Sequence, residues 1–128
     1  MLRDTNKRLW GAFVIESGTQ SIYFGSDSGY GSHYAELKDL FPTLDYSMLG
    51  VGAFQPEWFM QPVHMSPAEA VQAFHDSGAK HLIPMHYGTL DLSDEPAGLP
   101  LRLLGGIHEQ GKINGHLLLP KIGETMWV

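Results

Sequence analysis

Apolar residues cluster in short runs along the chain, separated by polar stretches rich in glycine and proline. Leu9 to Glu16 (LWGAFVIE) and Ser21 to Gly25 (SIYFG) flank Gly18-Thr19-Gln20, which predicts a β-hairpin. Ser26 to Ser32 (SDSGYGS) contains only small and polar residues besides one tyrosine, and reads as a loop. Leu37, Leu40 and Phe41 recur at helical spacing in YAELKDLF (residues 34–41), and Pro42 ends that helix. Asp45 to Gly52 (DYSMLGVG) predicts a buried strand, and the aromatic, proline-containing stretch Ala53 to Met65 a long loop. Ser66-Pro67-Ala68-Glu69 carries a capping serine, a proline for the first turn and a glutamate three residues on, so a helix starts there. It runs to about Ser77, with Gly78 as its stop. His81 to Met85 predicts a strand, and an acidic loop follows through Pro96. Leu99 to Gln110 predicts a helix, and residues 113–119 and 124–128 predict closing strands. The order β-β-α-β-α-β-α-β-β is an α/β pattern with helices covering a sheet.

Composition narrows the chemistry. The 128 residues suit one domain or part of one, and 43% hydrophobic against 17% charged residues predicts a globular chain. The formal net charge of −6, with basic residues scattered apart from Arg3, Lys7 and Arg8, argues against a nucleic-acid groove. The absence of cysteine excludes disulfides, thiolate metal sites and a cysteine nucleophile. Any metal must be held by histidine and carboxylate. The start of the chain lacks the apolar segment of a signal peptide, and no run approaches a membrane span, which points to a cytoplasmic protein.

Three polar residues lie where predicted strands end, the edge at which α/β sheets collect ligands. Asp27 follows SIYFG among small neighbours; it could bridge metal ions or simply close an Asx turn. His86 follows HLIPM and could ligate a metal or be a half-buried structural histidine. His64 precedes the capped helix and could contact substrate as a general acid or merely pack at the helix start. His33, His75, His81, His108 and His116 occupy helix, strand or surface positions with less claim to a role.

The stretches LWGAFVIE, FGSDSGYG, DYSMLGVGAFQPEWFM, VHMSPAEAVQAF and IPMHYGT occur in one order and spacing that resembles the metallo-β-lactamase superfamily. Within it they are most similar to the branch of N-acylphosphatidylethanolamine-hydrolysing phospholipase D and its bacterial relatives. The resemblance runs from about Asp4 to Thr89 and more weakly to the end. It implies an α/β chain forming the C-terminal half of an αββα sandwich, a mixed sheet with helices on one face. It places Asp27 on the carboxylate that bridges two zinc ions and His86 on the last metal-ligand histidine. His64 falls on a histidine that faces substrate. Gly52, Ala53, Phe54, Glu57, Trp58, Phe59 and Met60 match the loop bordering the active site, so Phe54, Trp58, Phe59 and Met60 are candidate substrate contacts. The implied activity is metal-dependent hydrolysis of an ester, often a phosphodiester, with a small molecule or lipid as substrate.

The family's His-x-His-x-Asp-His motif is absent: no histidine here has another two residues away. That motif and a further ligand histidine would lie before Met1. Asp27 and His86 alone should therefore bind zinc weakly or not at all, since catalytic zinc normally has three protein ligands. A sheet face that the other half would cover should be apolar, and should seek a homodimer partner or a separate N-terminal half. A non-catalytic remnant that dimerises or binds a ligand is the alternative reading.

Overall fold

The computed structural model describes residues 9–127. Arg3, Lys7 and Arg8 lie outside the described residues. Five strands form one sheet in the order in which they occur along the chain. β1 (Phe13–Ser17) and β2 (Gln20–Phe24) form the hairpin, turning at Gly18-Thr19 and pairing Phe13 with Phe24. β3 (Tyr46–Gly50), β4 (His81–Met85) and β5 (His116–Leu117) each run parallel to the preceding strand. Parallel neighbours need long crossovers. These are supplied by α1 (His33–Leu40), by α2 (Glu57–Met60) with α3 (Pro67–Ser77), and by α4 (Leu99–Glu109).

The third helix forms for the reasons legible in its sequence. The Ser66 hydroxyl accepts from the Glu69 amide, and the Glu69 carboxylate accepts from the Ser66 amide at 2.9 Å. Gly78 ends it in the left-handed conformation, which costs glycine no Cβ clash. Ala70, Val71, Ala73 and Phe74 form its buried stripe, packed on Tyr34 and Leu37 of α1, Leu104 of α4, and Tyr23, Leu49 and Leu82 of the strands. All this packing uses one face of the sheet.

The other face carries Phe13, Phe24, Met48 and Ile83 in one row across four strands, and Ile15, Ile22, Tyr46, His81 and His116 in the next. No described helix covers it: Phe13 is 63% exposed and Ile15 58%. The helices thus lie on one side and an apolar sheet surface on the other, as expected of half a four-layer sandwich.

Some expected elements differ. Residues 124–127 are not a strand, and Val128 lies outside the described residues. β5 is only two residues long, so the sheet edge offers almost no ladder for a further strand. Leu9 to Ala12 precede the hairpin without joining it, and the expected loop over residues 53–65 contains the single helical turn α2.

Candidate metal centre

The parallel strands point their carboxyl ends at one edge, and two of the three predicted chemistry-bearing residues lie just past those ends. Asp27 follows β2, and His86 follows β4 at once. His64 arrives from the segment between α2 and α3, where its amide donates to the Met60 carbonyl at 2.8 Å. The three side chains converge: one ligand atom from each lies within 4.8 Å of the others. His86 Nε2 is 3.2 Å from Asp27 Oδ1, and the His64 and His86 rings are 5.0 Å apart. Asp27 and His86 are exposed and His64 half-buried, so a ligand can reach them.

Local geometry shows how the chain builds this corner. The Asp27 loop turns at Ser26, which has positive φ, and packs through Gly29 against the backbone of Gln61 and Pro62. Gly29 has no Cβ to clash there, and this close approach brings Asp27 beside the His64 segment. His86 is itself left-handed, with φ of 61°, a conformation that costs a non-glycine residue free energy. The strap formed by residues 51–55 holds it. The Val51 amide donates to the Met85 carbonyl at 3.0 Å, and Gly52 sits against the His86 carbonyl so closely that a side chain has no room.

Burial pushes the His64 imidazole below its ordinary pKa, and the neighbouring His86 pushes the same way; Asp27 and Glu95 pull it up. A ring held neutral offers a lone pair for a metal or a proton. A carboxylate oxygen and two imidazole nitrogens are the donor types of zinc and related divalent ions, so the residues fit such a metal in kind and mutual spacing.

Beside His86 opens a cleft of about 260 Å³. Gly52, Ala53, the segment from Tyr87 to Ser93 and Glu95 line it. None of the four loop residues expected to touch substrate lines it. Phe54 is buried and borders a separate groove with Pro67, Leu103 and Ile107. Trp58 and Phe59 on α2 are exposed, their rings 5.7 Å apart, and Met60 is half-buried. Glu95 had no distinguishing signal in the sequence, being one of several acidic residues in a loop. The residue is 5% exposed, and its carboxylate accepts from the Phe54 and Gln55 amides at 3.3 and 3.0 Å. Burial raises its pKa, but these bonds, with others from Ser93 and its own amide, outweigh burial and hold it below the usual carboxylate range.

Residues 2–87 match the family model described as the β-lactamase superfamily domain. The chain belongs to the metallo-β-lactamase superfamily. A Mycobacterium tuberculosis protein is 31% identical to this superfamily member over 118 residues, covering 90% of the chain and 31% of that protein. The mitochondrial N-acyl-phosphatidylethanolamine-hydrolyzing phospholipase D of Saccharomyces cerevisiae is 30% identical over 133 residues, covering 97% of the chain and 27% of that enzyme. The chain thus spans about a third or less of the length of these curated relatives. Among solved structures, the metallo hydrolase Igni18 of Ignicoccus hospitalis superposes with a TM-score of 0.68 at 16% identity, covering 94% of this chain and 46% of Igni18. This likeness concerns the fold: the mixed sheet with helices on one face is the C-terminal half of the superfamily's αββα sandwich.

Proposed function

We propose that this chain supplies part of the metal centre of a zinc-dependent hydrolase acting on an ester, with a phosphodiester as the favoured class. The convergence of Asp27, His64 and His86 at the carboxyl edge of the sheet carries this reading. Asp27 and His86 would hold the ion. A bound divalent ion supplies Lewis-acid polarisation and a lowered pKa for water. His64, a ring's width from His86, is placed to hold or pass a proton to the leaving group. The cleft beside His86 would receive one arm of the substrate. The yeast relative's name, a hydrolase of a lipid phosphodiester, favours that substrate class and leaves Phe54, Trp58, Phe59 and Met60 as proposed contacts for an acyl chain.

The test pairs zinc content with turnover of bis-p-nitrophenyl phosphate. With an N-terminal half carrying the remaining ligands supplied, zinc-dependent turnover should appear and should fall with Asp27→Ala, His86→Ala and His64→Ala, with bound zinc lowered only in the first two. Turnover that survives a chelator, or is unchanged in all three variants, contradicts this proposal.

The row of Phe13, Phe24, Met48 and Ile83, covered by no helix among the described residues, favours a second, compatible reading: this face docks on another sheet. The partner would be a second copy, in a self-complementary two-fold pair, or an N-terminal half carrying further metal ligands. A well-folded monomer at micromolar concentration by light scattering, with no partner added, removes the homodimer.

The described residues contain no helix long and apolar enough to cross a membrane.

A further inference from the structure

Glu95 is a nearly fully buried residue, a rare place for an acid unless something in the fold needs it. Its partners distant in the chain are the two consecutive amides of Phe54 and Gln55, and the Asp94 amide beside it donates to the Gln55 carbonyl at 3.1 Å. Residues 94–95 therefore grip residues 54–55 by three hydrogen bonds. What they grip is under strain. Ala53 is left-handed with φ of 57°, and the segment just before it presses on the carbonyl of His86, also left-handed. Strained non-glycine residues persist only where their surroundings over-determine them. Neither Ala53 nor His86 can do so alone, and among the described residues the hydrogen bonds that tie the strap down beyond Val51 are those of this grip.

We propose that Glu95 is a positioning residue: its carboxylate clamps residues 52–55 against the His86 backbone and so sets the His86 ring for the metal centre. The inference rests on the metal-centre reading for its purpose, while the clamp itself stands on hydrogen bonds and strain. Glu95 also lines the cleft, so the same clamp shapes the wall that a substrate would meet.

The experiment compares Glu95→Ala and Glu95→Gln with the unaltered chain. It follows hydrogen exchange at the Phe54 and Gln55 amides, the His86 ring signals by NMR in metal-free protein, and Co²⁺ affinity. Loss of a partner that orients a metal ligand typically weakens metal binding by about tenfold or more. Glu95→Ala should reach that loss, speed exchange at both amides and shift the His86 signals. Glu95→Gln keeps one acceptor and should fall between. A purely structural glutamate would lower thermal stability yet leave the His86 signals and the Co²⁺ affinity of folded protein unchanged, and that outcome overturns the proposal. If Glu95→Ala does not fold, the same readouts on Glu95→Gln decide. If the unaltered chain binds no Co²⁺, the metal-centre reading fails while the His86 signals still decide the clamp.

Discussion

Gly52 and Gly50 lie two residues apart in one segment and make opposite predictions. A methyl group at Gly52 would overlap the His86 carbonyl oxygen, well inside the 3.0 Å that Cβ atoms keep from other heavy atoms, and would lie 3.3 Å from Tyr87 Cα. Gly52 has no positive φ, so the substitution introduces this contact and little else. Both obstacles are backbone and cannot swing aside. The His86–Tyr87 backbone must shift by on the order of 1 Å, about twice the tolerance of a ligand constellation. His86 Nε2 would then leave its 3.2 Å approach to Asp27 Oδ1. Gly52→Ala should weaken Co²⁺ binding by about 10–100-fold, which is roughly 1.4–2.7 kcal/mol, and overpacking should cost about 1–3 kcal/mol of stability. A methyl at Gly50 would meet only the His86 Cβ, at an ordinary 3.7 Å, so Gly50→Ala should bind Co²⁺ as the unaltered chain does. Visible absorption titration with Co²⁺, corrected for the folded fraction from urea melts, makes the comparison. Equal affinities for the two variants would refute the claim that Gly52 sets the position of His86.

Three further outcomes follow from other parts of the molecule. Ser66→Ala removes the capping box of α3 and should cost about 1 kcal/mol in urea unfolding without changing metal affinity. The Lys80 ammonium, 2.7 Å away, and the Ser21 amide hold the Asp45 carboxyl below its ordinary range. A depressed carboxyl contributes stability that is full at neutral pH and is lost as pH falls through the ordinary carboxylate value, about 3.9, toward the folded one. Asp45→Asn should therefore flatten the acid limb of a stability–pH curve, and an unchanged limb would count against the pairing. Ile15→Lys with Phe24→Lys puts charge on the uncovered sheet face and should weaken any association seen by sedimentation while the monomer's far-ultraviolet dichroism stays the same.

The sequence was legible wherever a single segment carried its own reason for folding. The capping box at Ser66 and Glu69 and the glycine stop at residue 78 rest on neighbours a few residues apart and formed as expected, and so did the hairpin at Gly18-Thr19, its first strand starting at Phe13 rather than Leu9. The strand-end positions of Asp27 and His86 were readable for the same reason, and the ordered motifs raised the expectation of a metal centre there. What remained hidden depends on pairs far apart in the chain. Glu95 matters through amides some forty residues away, and nothing in SDEP marks it off from Asp91 or Asp94. The burial of Phe54 follows from where α3 and α4 dock, which its own loop does not encode. The left-handed turn at His86 depends on the strap against it. Over residues 124–127 the expected closing strand is absent, and β5 gives it an edge of only two residues to pair with.

Everything proposed for this chain turns on Asp27 and His86, with His64 beside them, forming a divalent metal centre. Equilibrium dialysis against Zn²⁺ with elemental analysis tests it on the unaltered chain and on the Asp27→Asn, His86→Ala double variant. Because the structure brings His64 to the expected pair, weak but saturable zinc is predicted in the first, removed by chelator and lost in the second while the variant stays folded. Equal zinc in the two proteins, or none in the unaltered chain, would contradict it.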